Sequence, residues 1–189
     1  MSFALGSSDK QLLAALGQGH EGAFEVLFGR YYQGLRRYAS TLLRFPTDAA
    51  EDVVAEVFCS LWDARTRLVV TGSVAAYLYT AVKHRALDRL REQRRTPLET
   101  TDEQLPDYAA AECQQPDHLL AFAELSQQVQ HLIGQLPERT RLVYQLQRDG
   151  GLTYEEIATL LGISVNSVKT HMFRGLRFLK DALYVPGAR

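Results

Sequence analysis

Apolar residues recur at helical spacing along most of this 189-residue chain, and this pattern restricts the fold more than any other feature. Phe24, Leu27, Phe28 and Tyr31 stand at positions i, i+3, i+4 and i+7 of one long amphipathic stretch. The short run 67–70 is apolar and β-branched, but no neighbouring segment offers it a pairing strand. We therefore predict an all-α protein.

Two further helical stretches follow, and each begins at a start signal. One begins near Thr47 and carries acids in its first half, where negative charge stabilises a helix N-terminus. The other follows Ser73, a suitable N-cap, and runs into a basic segment. We predict one small helical domain over 20–95, preceded by an N-terminal segment, 1–19.

Charge is unevenly distributed, although the net charge of the whole chain is only −1. Residues 77–95 contain six bases and two acids, and residues 164–180 contain four bases and no acid. Between them, residues 96–118 contain six acids, no Lys or Arg and three prolines, which predicts a flexible acidic linker. Two basic segments that flank an acidic one indicate a nucleic-acid partner.

The second small helical domain, 119–185, contains two short helices joined by a tight turn. Thr153 and Glu156 have the spacing of a capping box, which starts the first helix. Gly162 favours a left-handed helix end, and Ser164 is a suitable cap for the next helix. Such a helix-turn-helix inserts the start of its second helix into the major groove of DNA.

The second helix of this motif has an inner and an outer face. Val168, Met172, Leu176 and Leu179 are expected on the inner face. The remaining amide, hydroxyl, basic and apolar groups suit base edges, phosphates and thymine methyl groups. A merely solvated face normally carries both signs of charge, so the absence of acids favours DNA binding. The predicted DNA-binding residues are Asn166, Ser167, Lys169, Thr170, His171, Phe173 and Arg174.

Several functional classes are disfavoured by the sequence. Cys59 and Cys113 lack the spacing of a zinc site or a disulfide framework, and no HExxH, phosphate loop or nucleophile motif occurs. No apolar run approaches the roughly 18 residues of a membrane span, and the N-terminus does not resemble a signal peptide. We expect no catalytic residue, cofactor or metal, no membrane insertion, and a cytoplasmic location.

The motif Leu136-Pro-Glu-Arg-Thr-Arg-Leu-Val-Tyr and the helix-turn-helix resemble the C-terminal domain of bacterial extracytoplasmic-function (ECF) sigma factors of RNA polymerase. The N-terminal half is similar to the other domain of that family. Its matching segments are Ala23-Phe-Glu-Val-Leu-Phe-Gly-Arg-Tyr-Tyr, Asp48-Ala-Ala-Glu-Asp-Val-Val-Ala-Glu-Val-Phe and 77–91. Repressors and response regulators share a helix-turn-helix, but the first 95 residues show no sensor or receiver domain. The resemblance covers nearly the whole chain and implies an alternative sigma factor that binds core RNA polymerase and directs it to promoter DNA.

The resemblance also implies roles for individual residues. The helix that starts at Asp48 would dock on the polymerase clamp, although its outward acids equally suit a helix N-terminus. The following segment would bind and melt the downstream promoter element, with the 69–73 loop forming a pocket for an unstacked base. The implied polymerase-binding residues are Asp48, Glu51, Asp52 and Glu56, and the implied downstream DNA-binding residues are Lys83, His84, Arg85, Arg89 and Arg91.

Two positions depart from the family pattern. Ala55 stands where Gln is frequent, and His84 stands where Asn is common, so polymerase contact and base recognition are open at these two positions. Family members are often held inactive by a membrane-bound anti-sigma factor, and the resemblance implies an anti-sigma partner here, with its membrane attachment left open.

Overall fold

The computed structural model describes residues 6–43, 47–95 and 127–183, and the regular elements within these ranges are all helices. The all-α prediction is confirmed, and no strand forms at 67–70. The predicted linker, 96–118, lies outside the described residues. The helices are α1 (Asp9–Gly17), α2 (Glu21–Leu43), α3 (Thr47–Ala64), α4 (Val74–Arg95), α5 (127–134), α6 (Glu138–Arg148), α7 (Tyr154–Leu161) and α8 (Val165–Leu183).

The long helix α2 is the centre of the N-terminal half and packs against α1, α3 and α4. It buries Leu27, Tyr31, Leu35 and Tyr38 along one face, at the spacing that the sequence pattern predicts. Burial of each large apolar side chain stabilises the fold by roughly 1.5–3 kcal/mol relative to exposure. This packing fixes the positions of α3 and α4, which carry most of the implied binding residues.

Helix α1 lies within 1–19, a range for which the sequence patterns above predict only an N-terminal segment. Ser8 caps it: the Ser8 side chain accepts a hydrogen bond from the Gln11 N–H, and the Gln11 side chain accepts one from the Ser8 N–H. Leu12 and Leu16, four residues apart, are fully buried. The Ser8–Gln11 spacing is a capping-box signal that the sequence already contained.

One acid ties α1 to α2. The Asp9 carboxylate forms an ion pair with Arg30 and accepts a hydrogen bond from the Tyr31 hydroxyl. Burial, together with this hydrogen bond and the negative charge of Asp9, raises the pKa of Tyr31 above its ordinary value. The first helix is therefore held to the bundle by polar contacts as well as by its leucines.

The C-terminal half is built on close contact between α6 and α8. Val168, Met172, Gly175 and Leu179 form the buried face of α8. The prediction that Leu176 belongs to this face is wrong, because its side chain is 51% exposed and Gly175 takes the inward position. A Cβ at Gly175 would lie only 3.2 Å from the Thr140 Cγ2 atom, so glycine permits the close approach of the two helices.

The two halves are in contact with each other. Helix α6 packs on α2, and α7 packs on α4. Buried side chains from both halves form one continuous hydrophobic cluster.

Candidate nucleic-acid interface

The turn of the helix-turn-helix is held by local hydrogen bonds. Thr153 Oγ1 accepts from the Glu156 N–H at 3.2 Å, and Glu156 Oε2 accepts from the Thr153 N–H at 2.8 Å. Gly162 adopts φ 67° and ψ 38°, a left-handed conformation that glycine adopts without steric cost. Ser164 Oγ accepts from the Ser167 N–H at 3.1 Å, which caps α8. The capping box, the glycine helix end and the serine cap are the ones predicted from the sequence.

The outer face of α8 is exposed and basic. Lys169, Thr170, Phe173 and Arg174 are all exposed, and the Phe173 side chain has 66% of its surface accessible. Asn166 is also exposed, and its carbonyl oxygen accepts a hydrogen bond from Thr170 Oγ1 at 2.9 Å. A helix with no acid before Asp181 and with exposed donors near its start has the composition of a major-groove surface.

Two other residues predicted to bind DNA have side-chain partners within the protein. Ser167 is half-buried, and its Oγ lies 2.9 Å from Ser164 Oγ at the start of α8. His171 is half-buried, and its Nδ1 lies 3.0 Å from Oγ1 of the buried Thr140. The His171 ring is therefore turned toward α6, on which it helps to fix α8.

The basic residues implied for the downstream element do not form one open surface. Arg85 Nε lies 2.7 Å from Glu56 Oε2, and Arg89 also forms an ion pair with Glu56. The hydrogen bond from Arg89 to Glu56 and the negative charge of Glu56 raise the pKa of Arg89 above its ordinary value. Glu56, which is implied in polymerase binding, therefore forms ion pairs with Arg85 and Arg89, which are implied in DNA binding.

The other implied downstream residues differ in their surroundings. Lys83 is half-buried, and its Nζ donates a hydrogen bond to the Leu160 carbonyl oxygen at 2.6 Å. His84 is exposed. Arg91 is exposed and lies 2.8 Å from Asp88, in a pair that is more than half accessible on both sides.

The loop before α4 combines an exposed apolar residue with a capped helix start. Val69 is 83% exposed. Ser73 Oγ accepts from the Ala76 N–H at 3.1 Å and caps α4 as predicted, and the same hydroxyl donates to Glu156 Oε1. Formation of a base pocket by this loop stays a prediction.

Helix α3 exposes a narrow acidic strip. Asp48, Asp52 and Ala55 are exposed on this helix. Glu51 is half-buried, and its carboxylate lies 3.3 Å from Arg36 Nη1. Asp48 and Asp52 are therefore more accessible to a partner than Glu51 or the doubly paired Glu56.

The described residues contain no group of three or more His, Cys, Asp or Glu side chains placed to hold a metal ion. None of the described helices combines the length and the apolar character needed to cross a bilayer.

Comparisons with known proteins match both halves of the chain. The model described as "Sigma-70 region 2" matches residues 27–96, and the model described as "Sigma-70, region 4" matches residues 126–179. The RNA polymerase sigma-H factor of Pseudomonas aeruginosa is 28% identical over 183 residues, which cover 93% of each chain. The ECF RNA polymerase sigma-E factor of Escherichia coli is 29% identical over 174 residues, which cover 88% of this chain and 90% of that protein.

A solved structure has a similar fold. The structure of CnrH in complex with the cytosolic domain of CnrY matches with a TM-score of 0.52 at 22% identity, covering 96% of this chain and 100% of CnrH. Both halves of the chain thus match known proteins in the same order.

Proposed function

We propose that this chain, which belongs to the sigma-70 family and is an alternative sigma factor for promoter-specific transcription initiation, binds the upstream promoter element with the outer face of α8. Core RNA polymerase and promoter DNA are the partners of such a factor. The observation that carries the proposal is the exposed, acid-free outer face of a correctly capped recognition helix. Lys169, Thr170, Phe173 and Arg174 supply the donors and the apolar contact that base edges and phosphates require.

We assign the downstream element to α4 and to the loop that precedes it. The helix carries Lys83, Arg85, Arg89 and Arg91, whose charges suit the phosphates of separated strands. The exposed Val69 and its neighbours supply an apolar loop near the start of α4. In this assignment the domain 20–95 binds polymerase and melts DNA, and the domain 119–185 binds the upstream element.

Polymerase binding is assigned to the exposed side of α3. Asp48 and Asp52 are exposed acids in the first half of this helix, and they would meet basic residues of the polymerase. Complementary charges of this kind increase the association rate and fix the orientation of the partners. Glu51 and Glu56 would have to exchange their present arginine partners to take part.

Three further assignments belong to this proposal. The structurally similar CnrH was solved in complex with the cytosolic domain of CnrY, which supports a protein partner for this chain too, and we assign that partner as an anti-sigma factor. The chain itself performs no catalysis, because polymerase supplies the chemistry of RNA synthesis. Its place of action is the cytoplasm, where bacterial RNA polymerase works.

The experiment that tests the proposal combines binding with transcription. The purified chain is mixed with bacterial core RNA polymerase, separated on a sizing column, and the complex is supplied with a library of random promoter templates. We expect co-elution with the polymerase and new transcription start sites that share two sequence elements. DNA binding without polymerase binding would instead support a repressor.

A further inference from the structure

One buried polar residue lies in the contact between α6 and α8. Helix α8 packs against α6 with a buried face that consists of apolar residues and Gly175. Apart from tyrosines, Thr140 of α6 is the only buried residue with a polar side chain in the part of the chain that the structure describes, and it is 4% exposed. A buried hydroxyl group destabilises the fold unless it is hydrogen-bonded. The partner of Thr140 is therefore informative about this contact.

Thr140 contacts α8 on two successive turns of that helix. Its Oγ1 lies 3.0 Å from Nδ1 of His171, in a hydrogen bond that either atom can donate. Its Cγ2 lies so close to Gly175 that a Cβ there would be only 3.2 Å away. His171 and Gly175 are four residues apart, so they follow each other along one side of the helix. One side chain of α6 thus holds α8 by a directional bond at one turn and by close packing at the next.

The hydrogen bond restricts how α8 can turn or slide on α6. Apolar packing is non-directional, so by itself it tolerates small rotations of one helix on another. A hydrogen bond weakens steeply as its length and angle depart from the optimum, and a rotated α8 would leave the Thr140 hydroxyl buried without a partner. Single polar residues in apolar helix interfaces can fix the register of the helices in this way. The contact of Thr140 with His171 therefore selects one orientation of α8.

This orientation determines where the side chains assigned to DNA are presented. Lys169, Thr170 and Phe173 are exposed and lie within two residues of His171. A helix with its side chains is about 10–12 Å across, so a rotation of about 20° moves the side-chain ends by roughly 2 Å. A specific binding group must be held within about 0.5 Å of its productive position. Phosphate contacts carry no sequence information directly, so a rotation should reduce base discrimination more than the general attraction to DNA.

We propose that Thr140 is a positioning residue for promoter recognition, which sets the rotation of α8 through His171 and Gly175 and thereby the base specificity of the outer face. The inference rests on the proposed function, which assigns this face to the upstream element. It gives His171 a role on the protein side of the recognition helix, in place of the direct DNA contact predicted from the sequence.

Conservative variants separate the hydroxyl of Thr140 from its shape. Thr140→Val keeps a methyl group next to Gly175 and removes the hydroxyl, whereas Thr140→Ser keeps the hydroxyl and removes Cγ2. His171→Asn keeps a polar atom near the place of Nδ1, whereas His171→Leu keeps none. Thr41→Val on α2 is the matched control, because the Thr41 hydroxyl donates to the Arg37 carbonyl of its own helix at 3.0 Å.

The first measurement is the nitrogen-15 spectrum of the histidine rings in the full chain. The two ring nitrogens of a histidine are distinct, and a hydrogen bond to one of them changes its resonance. The His171 signals are identified by their absence in His171→Asn. We expect a hydrogen-bonded Nδ1 in the parent chain and in Thr140→Ser, and a solvated Nδ1 in Thr140→Val.

The second measurement is base discrimination by the chain assembled with core RNA polymerase. A pool of duplex DNA with a randomised upstream segment identifies the preferred sequence of the parent. Fluorescence anisotropy then gives the affinities for that duplex, for the same duplex with one base pair changed, and for an unrelated duplex.

We expect the affinity ratio between the preferred and the changed duplex to fall about fivefold in Thr140→Val and in His171→Leu, because base contacts are lost or misplaced. The ratio should be retained in Thr140→Ser, His171→Asn and Thr41→Val. Affinity for the unrelated duplex should stay within about twofold in all of these chains, because the phosphate contacts remain. A merely stabilising role of Thr140 would not change the ratio in a folded chain.

A solvated His171 Nδ1 in the parent chain would overturn the inference, and so would unchanged discrimination in both Thr140→Val and His171→Leu. Equal losses in His171→Asn and His171→Leu, with none in Thr140→Val, would make His171 a direct DNA contact and would also overturn it. Failure of the proposed function has a different appearance, namely a parent chain that lacks polymerase binding or any preferred sequence.

Discussion

The Tyr38 hydroxyl is a buried polar group with no hydrogen-bond partner among the described residues. Its side chain is only 3% exposed, and burial raises the pKa of Tyr38 above its ordinary value. A buried hydroxyl that lacks a partner retains much of its desolvation cost. At this position burial of the aromatic ring stabilises the folded state, whereas the unpaired hydroxyl group destabilises it.

Tyr38→Phe should therefore raise the free energy of unfolding, by up to about 1 kcal/mol, because it removes an unsatisfied hydroxyl and keeps the ring. Urea unfolding followed by circular dichroism measures the change. Tyr79→Phe is the matched comparison on the facing helix. A loss of stability in Tyr38→Phe would reveal a partner for the oxygen, such as an ordered water.

Arg174 is the exposed base that we expect to contribute most directly to upstream DNA binding. Replacement by Ala should weaken binding of holoenzyme to its promoter by about 1–3 kcal/mol if Arg174 contacts a base edge, without impairing polymerase association. Promoter affinity is measured by fluorescence anisotropy. Arg177→Ala removes the same charge from the same helix, at a residue already paired with Asp181, and should have a smaller effect. Equal affinities for parent and Arg174→Ala would remove Arg174 from the recognition set.

Asp52 tests the polymerase surface in the same way. Asp52→Lys reverses an exposed charge on α3, so we expect slower association with core polymerase while the affinity of the free chain for upstream DNA stays unchanged. Surface plasmon resonance with immobilised core polymerase gives the rate. Asp63→Lys, near the other end of α3, is the matched control. Normal association of the Asp52 variant would place the polymerase contact elsewhere.

At the scale of elements, Glu156 links two helix starts. It completes the capping box of α7 and accepts a hydrogen bond from Ser73, the cap of α4. Burial favours the neutral form, but the hydrogen bonds from Ser73 and Thr153 outweigh it and lower the pKa of Glu156 below its ordinary value. The ionised carboxylate is therefore the form that stabilises both helices.

A lowered pKa in the folded state makes the contribution of Glu156 fully present above its ordinary pKa. This contribution is lost as the pH falls through the lowered value in the folded protein. The parent chain should thus be more stable than Glu156→Gln at neutral pH, and the difference should shrink on acidification. Urea unfolding at a series of pH values checks this, with Glu155→Gln as the neighbouring control. A difference independent of pH would mean that the charge of Glu156 is not involved.

The helices were predictable where their signals are local. The capping box of α7, Gly162, Ser164 and the Ser73 cap lie within a few residues of the elements they delimit, so the sequence contains them in readable form. Leu176 was misplaced because a glycine, which carries no apolar side chain, occupies the inward position next to it. The contact of His171 with Thr140 was not predictable from a local pattern, because the two residues lie 31 positions apart in the sequence.

At the scale of the whole molecule, sequence patterns predicted two helical domains but gave no sign of their contact. Arg37 and Asp149 are separated by more than a hundred residues, and Glu56 meets Arg85 and Arg89 from another helix. Charge pairs and glycine contacts of this kind have no periodicity, and only the folded arrangement brings them together. The predicted boundaries 20–95, 96–118 and 119–185 stay predictions.

The continuous hydrophobic cluster predicts that the two halves unfold together. Trp62, the one tryptophan of the chain, reports on the N-terminal half, whereas far-ultraviolet circular dichroism reports on both halves. We expect coincident midpoints by the two probes in the parent chain and separated midpoints in Arg37→Asp. Separate midpoints in the parent chain would show that the contact adds little stability.

The hydrogen bond from Lys83 to the Leu160 carbonyl also affects how strongly the protein binds non-specific DNA inside a cell. A chromosome offers a vast excess of non-specific sites, and any molecule with a freely accessible basic surface is partly trapped on them. A lysine whose charge is satisfied within the chain adds less to this non-specific attraction than a free lysine, whereas the exposed bases of α8 still contribute to it. The Leu160 carbonyl thereby lowers the share of this attraction that comes from Lys83 and leaves a larger share to α8.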